Sequence, residues 1–118
     1  MFGVGWAKST IIPKVLEFCN HPNYHLRATT LLCVNSLSVA VGAEMTDSTL
    51  LPLALKMVTD NVPNIRFRLA RTLAILAQNC ETIVAQQRIR PALESLLSDT
   101  DKDVRYEAHK AMQVAGFA

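Results

Sequence analysis

Three groups of side chains in this sequence have types and spacings that invite chemistry. Cys19, His21 and His25 place a thiol and two imidazoles within seven residues, and these are zinc-ligand types. Zinc needs four protein ligands, or three with an open position, and no fourth ligand lies nearby. His21 and His25 also straddle a turn rather than share a helix face, so no metal is assigned. Asp99, Asp101 and Asp103 alternate like the opening ligands of a calcium loop. The central glycine and distal glutamate of such a loop are missing. These carboxylates fit the start of a helix instead, where negative charge and side-chain acceptors are favourable. The third group is Arg27, Arg66 and Arg105, spaced 39 and 39 residues apart. Guanidinium groups at a fixed interval suit a ladder in which each pairs with turn acids or carbonyls of its own or a neighbouring unit. No glycine-rich phosphate loop, nucleophile elbow or HExxH-type helix is present, so neither an enzyme nor a cofactor is expected.

The arginine spacing extends to the elements around it. Pro13, Pro52 and Pro91 share the interval of 39, as do Ile11, Leu50 and Ile89, Leu26, Ile65 and Val104, and Val34, Leu73 and Met112. The chain of 118 residues therefore reads as one domain of three units, about 4–42, 43–81 and 82–118. Within a unit the apolar period is helical. Leu50, Ala54, Met57 and Val58 form one stripe and Ile65, Leu69, Leu73 and Leu76 another. Ile11, Val15, Phe18 and Cys19 with Leu26, Thr30, Val34 and Leu37 repeat the pattern upstream. Ile89, Leu93, Leu96 and Leu97 with Val104, Ala108, Met112 and Ala115 repeat it downstream. Each unit is a pair of antiparallel helices, and the turns Asn20–Asn23, Thr59–Asn61 and Ser98–Asp101 supply caps for the second helix. Pro63 falls in a first helical turn, where its missing N–H costs nothing. Pro13, Pro52 and Pro91 lie inside first helices and should kink them. Cys33 and Cys80 read as packing residues.

Composition narrows the function. Half of the residues are hydrophobic, 6% are aromatic and 19% are charged, which excludes a disordered chain. A net charge of +2, with Arg66, Arg68 and Arg71 too few for a basic groove, gives no nucleic-acid partner. The longest uncharged run, 28–43, is too short and too polar for a bilayer, so no membrane partner is expected. Three widely spaced cysteines fit a reducing compartment. Seven of the twelve residues from Asp99 to Lys110 are charged, as one solvated end of a stack requires. At the other end Phe2, Val4, Trp6, Ile11 and Ile12 have no preceding unit to cover them. The chain is thus expected to be the C-terminal fragment of a longer stack, able to dimerise artefactually through its first unit.

The residues that recur match a known pattern. HEAT repeats are helix pairs of this length with a proline in the first helix, an aspartate in the turn and an arginine opening the second helix. Pro52, Asp60 and Arg66 fit it, as do Pro91, Asp99 and Arg105. Pro13 and Arg27 fit it with His21 in the aspartate position, which leaves one rung of the expected Asp–Arg ladder open. The stretches WAKSTIIPKVL, PNYHLRATTLLCVNSLS, NVPNIRF and DVRYEAHKAM further resemble the C-terminal repeats of the scaffold (A, 65 kDa-type regulatory) subunits of protein phosphatase 2A, over essentially the whole chain.

The resemblance implies an all-α fold, a right-handed α-solenoid of three HEAT repeats with six antiparallel helices. It also implies a non-catalytic role in the cytoplasm, with the nucleus as a second compartment. The turns within repeats would form a ridge that holds the phosphatase catalytic subunit, while regulatory B-type subunits would bind repeats outside this chain. Carried over, the ridge is Asn23 and Tyr24, Val62 and Asn64, and Asp101, Lys102 and Asp103. Arg27, Asp60, Arg66, Asp99 and Arg105 form the structural ladder. The alternative is a HEAT segment of another adaptor, such as a nuclear-transport receptor, gripping a helix or peptide.

Overall fold

The computed structural model of the chain describes Glu17, Phe18 and residues 21–117, which are helical or in short turns, with no strand among them. Helix α1 spans Tyr24–Val41. It starts where Asn23, in extended conformation, accepts the N–H of His25 on its side-chain oxygen at 2.9 Å. It stops at Gly42, whose φ of 87° and ψ of 174° lie in a region that only glycine occupies without strain. A continuous helical path then runs through α2 (Ala43–Met45), a π-helical turn (Thr46–Leu50), α3 (Leu51–Leu55) and a 3₁₀ turn (Lys56–Thr59). After Asp60–Val62 the chain packs back as α4 (Pro63–Asn79). The path repeats with α5 (Thr82–Val84), a second π-helical turn (Ala85–Ile89), α6 (Arg90–Leu96) and α7 (Lys102–Ala115).

The two π turns explain what the prolines do. Pro52 and Pro91 do not interrupt their helices; each sits just after a π-helical turn, with the backbone right-handed helical through Leu50 and Ile89. A proline lacks the N–H for its own helical bond, and its ring crowds the carbonyl four residues back, here Ser48 or Gln87. Widening the preceding turn by one residue makes room for the ring and leaves the helix running on. The expected kink is thus a local widening, placed ahead of the proline.

Helices α1, α4 and α7 lie side by side, α4 against both neighbours, while α3 and α6 pack on the other side. The thinnest extent of the molecule, 19 Å, is that of two helix layers. Leu31, Val34, Leu50, Leu51, Ile65, Leu69, Leu73, Leu76, Ile89, Leu93, Leu96 and Val104 are all essentially removed from water. This core is aliphatic, as the low aromatic content dictates, and its shape rests on interdigitated branched side chains. Leu37, Val58 and Leu97, from the same stripes, are only partly buried against it. The upstream stripe Ile11, Val15 and Cys19, together with Phe2, Val4, Trp6, Ile12, Pro13 and Asn20, lies outside the described residues.

Two of the three expected caps form, at Asn23 and Asp101, and the third does not. Asp101 accepts the N–H groups of Asp103 and Val104 at 2.9 and 3.1 Å and begins α7. For α4 the cap position is Val62, which offers no side-chain acceptor; the proline at the first helical position removes one of the N–H groups a cap would serve. Gly116 closes α7 in left-handed conformation, with its N–H to Gln113 and that of Phe117 to Met112 at 2.9 Å, and Phe117 folds back against the core.

Candidate protein-binding ridge

The turns that connect paired helices are fixed by arginines that reach across to the next turn. Arg27 donates through Nε to Asp60 Oδ2 at 2.8 Å and through Nη2 to Oδ1 at 3.1 Å. Arg66 does the same to Asp99, at 2.7 and 3.1 Å. Each also reaches back to a turn carbonyl, Arg27 to His21 O at 2.8 Å and Arg66 to Asp60 O at 2.6 Å. Each aspartate in turn closes its own loop: Asp60 Oδ1 accepts the N–H of Val62 and Asp99 Oδ1 that of Asp101, both at 2.9 Å. A planar fork is needed for this, since lysine could not span both oxygens and a carbonyl.

The electrostatics follow from burial. The paired side chains are only 8–12% exposed. The hydrogen bond to Asp99 raises the pKa of Arg66 above its ordinary value, against the lowering effect of burial. Burial alone would push the Asp99 carboxyl up. The bonds from Arg66 and the Asp101 N–H, with the charges of Arg66 and Arg105, outweigh it and hold that carboxyl below the usual range.

His21 occupies the turn position of Asp60 and Asp99, and its Nδ1 accepts the N–H of Asn23 at 3.0 Å, as those carboxylates do two residues on. The open rung therefore leaves Arg27 its ion pair: its carboxylate is Asp60 in the following turn, and from its own turn it takes only carbonyls. Arg105 meets no following turn among the described residues. It donates to Asp99 O at 2.7 Å and is exposed.

The ridge residues separate into two sets. Asn64, Asp101 and Asp103 meet around a shallow cavity of about 320 Å³, whose remaining walls are Pro63 and Phe67. Asn23 and Tyr24 do not line it; both are exposed, and the Tyr24 ring lies 4.0 Å from that of His25. Lys102 is exposed beside the cavity residues in sequence, and Val62 is half-buried against the core. Phe67 was not among the residues the sequence singled out. Its signal was its place three residues after Asn64, one helical turn along the same face. The guanidinium of Arg71 stacks over this ring, 5.2 Å from its centroid, while pairing with the buried Glu107 at 3.0 Å.

Among the described residues no cluster of three or more His, Cys, Asp or Glu could hold a metal ion; Cys19 lies outside them. Burial, with the charge of nearby Asp47, pushes the Cys80 thiol up to about 11, so it is protonated and poorly nucleophilic. No described helix is long and apolar enough to cross a membrane.

Comparison with known proteins supplies the relatives. Over an alignment of 121 positions that covers 95% of this chain, it is 30% identical to the regulatory A subunit of protein phosphatase PP2A from Saccharomyces cerevisiae. It is 40% identical over 70 residues, 59% of its length, to the protein of the same name in Schizosaccharomyces pombe. It is 38% identical over 62 residues, 52% of its length, to the serine/threonine-protein phosphatase PP2A 65 kDa regulatory subunit of Drosophila melanogaster. The chain spans 19%, 12% and 10% of these proteins respectively. No family model matches it.

Proposed function

We propose that this chain, a relative of the regulatory A subunits of protein phosphatase 2A, is a non-catalytic scaffold segment that holds the phosphatase catalytic subunit on its intra-repeat turns. Its fold on this reading is a right-handed solenoid of three HEAT repeats, 4–42, 43–81 and 82–118, within a longer stack. The π turns at Thr46–Leu50 and Ala85–Ile89 and the pairs Arg27–Asp60 and Arg66–Asp99, each set offset by 39 residues, support it. Regulatory B-type subunits bind elsewhere on the same stack, and the assembly works in the cytoplasm and nucleus. The contribution is positional: fixing the catalytic subunit raises the effective concentration of whatever another subunit recruits.

One observation carries the reading. The forked arginines lock successive turns to one another through nearly buried ion pairs, so the turns form a preorganised surface rather than separate loops. Preorganisation lowers the ordering cost of association. The half-buried Val62, the exposed Tyr24 and the Phe67-floored cavity supply anchors, and Asn64, Asp101, Lys102 and Asp103 supply a polar rim.

The test is a titration of the chain with purified phosphatase 2A catalytic subunit, alongside Tyr24→Ala and Val62→Asp. Val62→Asp places a charge on the ridge and also supplies the side-chain acceptor that the start of α4 lacks. The fold should therefore survive, with unchanged helical circular dichroism, while binding is lost. Binding at wild-type strength by both variants would refute the ridge. Absence of binding by the wild-type chain, even when extended by its upstream repeats, would favour a different adaptor.

A further inference from the structure

A second concavity lies on the face formed by α1 and α4, built from different residues. Its volume is about 240 Å³, and Leu31, Leu32, Asn35, Arg68, Arg71 and Ile75 line it. Three features set it apart from an ordinary seam between helices. Leu32 is 56% exposed although it is a large aliphatic residue on a helix that packs against a neighbour. Arg68 is exposed and pairs with no carboxylate among the described residues. Asn35 buries its side-chain oxygen without any hydrogen-bond partner.

The corresponding seam between α4 and α7 shows what is missing. A shift of 39 residues carries Leu32 onto Arg71, Arg68 onto Glu107 and Asn35 onto Ala74. At that seam Arg71 and Glu107 pair at 3.0 Å and Ala74 is buried. The same three places thus hold a closed ion pair over a small apolar residue in one seam. In the other they hold an unpaired cation, an exposed leucine and an orphan amide. Each unmet requirement has a chemical complement: a carboxylate for Arg68, an aliphatic side chain against Leu32, Leu31 and Ile75, and a hydrogen-bonding group for Asn35.

We infer that this groove between α1 and α4 docks an acidic amphipathic protein segment that sets one or two aliphatic anchors beside Leu32, a carboxylate on Arg68 and a polar group on Asn35. The volume is smaller than a usual small-molecule site and suits an anchor side chain of a peptide. A polyanion such as nucleic acid is disfavoured, because Glu107 already neutralises Arg71 and Arg68 is then the single unpaired cation among the described residues that line the groove. The groove is separate from the ridge: no residue that lines the ridge cavity lines it.

The probe is a 16-residue peptide of helical pattern with leucines at i, i+3, i+4 and i+7 flanked by glutamates, titrated by calorimetry into the full chain. Its counterparts carry glutamine or lysine in place of glutamate, and a single-stranded RNA of the same length forms the fourth arm. The glutamate peptide should bind with a dissociation constant of about 10–100 µM, the glutamine peptide about tenfold more weakly and the lysine peptide not at all. Arg68→Glu, an exposed change, should reverse the order so that the lysine peptide binds best. Asn35→Ala should raise the melting temperature yet weaken the glutamate peptide several-fold, which a purely structural role would not do. Failure of the glutamate peptide to bind, binding unaffected by Arg68→Glu, or stronger binding of RNA would each overturn the proposal.

Discussion

The two seams of the molecule, α1 against α4 and α4 against α7, are alike at one end and unlike in the middle. At the turn end both are closed by a bidentate arginine–aspartate pair, Arg27–Asp60 and Arg66–Asp99, with nearly the same distances and burial. Along the helices α4 meets α7 more extensively than it meets α1. There Arg71 pairs with Glu107, while Arg68 stays unpaired beside Leu32 and Asn35. The shared end defines how one turn sits on the next. The unlike middle is free of that duty, so it can close on itself, as in the second seam, or stay open to a partner, as in the first.

The largest effect should come from breaking a shared end. Asp99→Ala leaves Arg66 nearly buried without its carboxylate and should cost about 3–5 kcal/mol, read by urea denaturation. Asp60→Ala should cost a similar amount if the two ends are equivalent, and a difference of more than half would break the comparison. Replacing Arg66 and Asp99 together by apolar residues should recover most of the loss, because no buried charge is then left alone.

Acid should act on the same pair. The folded Asp99 carboxyl is held below its unfolded value of about 3.8. Its stabilisation is therefore complete above that pH and is lost as pH falls through the lower, folded value. Urea midpoints measured between pH 6 and 2 should fall in wild type, and the fall should be shallower in Asp99→Asn.

Smaller effects test the middle of the seams. Asn35→Ala installs the residue found at the matching place in the second seam and removes an orphan polar atom, so it should stabilise the chain by about 1 kcal/mol. A destabilisation would mean that the amide is satisfied in solution. The smallest change should be Leu32→Glu, which offers Arg68 a carboxylate as Glu107 does for Arg71. An exposed pair of this kind should add no more than about 0.5 kcal/mol. It should nonetheless abolish peptide binding in the open groove, sharpening the distinction between an open and a closed seam.

Much of this is legible in the order of residues. The helix stripe Ile65, Leu69, Leu73 and Leu76, the cap at Asn23 and the glycine stop at Gly42 depend on residues within a turn or two of one another, where the periodicity of the helix leaves little choice. The aspartates and arginines of the ladder announce themselves by spacing. Their partners do not: Asp60 and Asp99 serve the arginine of the preceding turn, 33 residues earlier, while a carboxylate oxygen of each also accepts a backbone N–H of its own turn. Val62 reads as a plain surface anchor, yet it also begins α4 without a cap and leans on the core.

Residue order alone reveals which segments are helical and which stripes are apolar, because those properties rest on local backbone and side-chain preferences. Tertiary structure alone decided that Phe67 floors a cavity with Asp101 and Asp103, that Arg71 finds Glu107 while Arg68 finds no carboxylate among the described residues, and that Asn35 is left with an unanswered oxygen. Each of these depends on how two helices, far apart in the chain, are set against each other. Burial and pairing across such a contact are properties of the packed pair, and neither helix carries them alone.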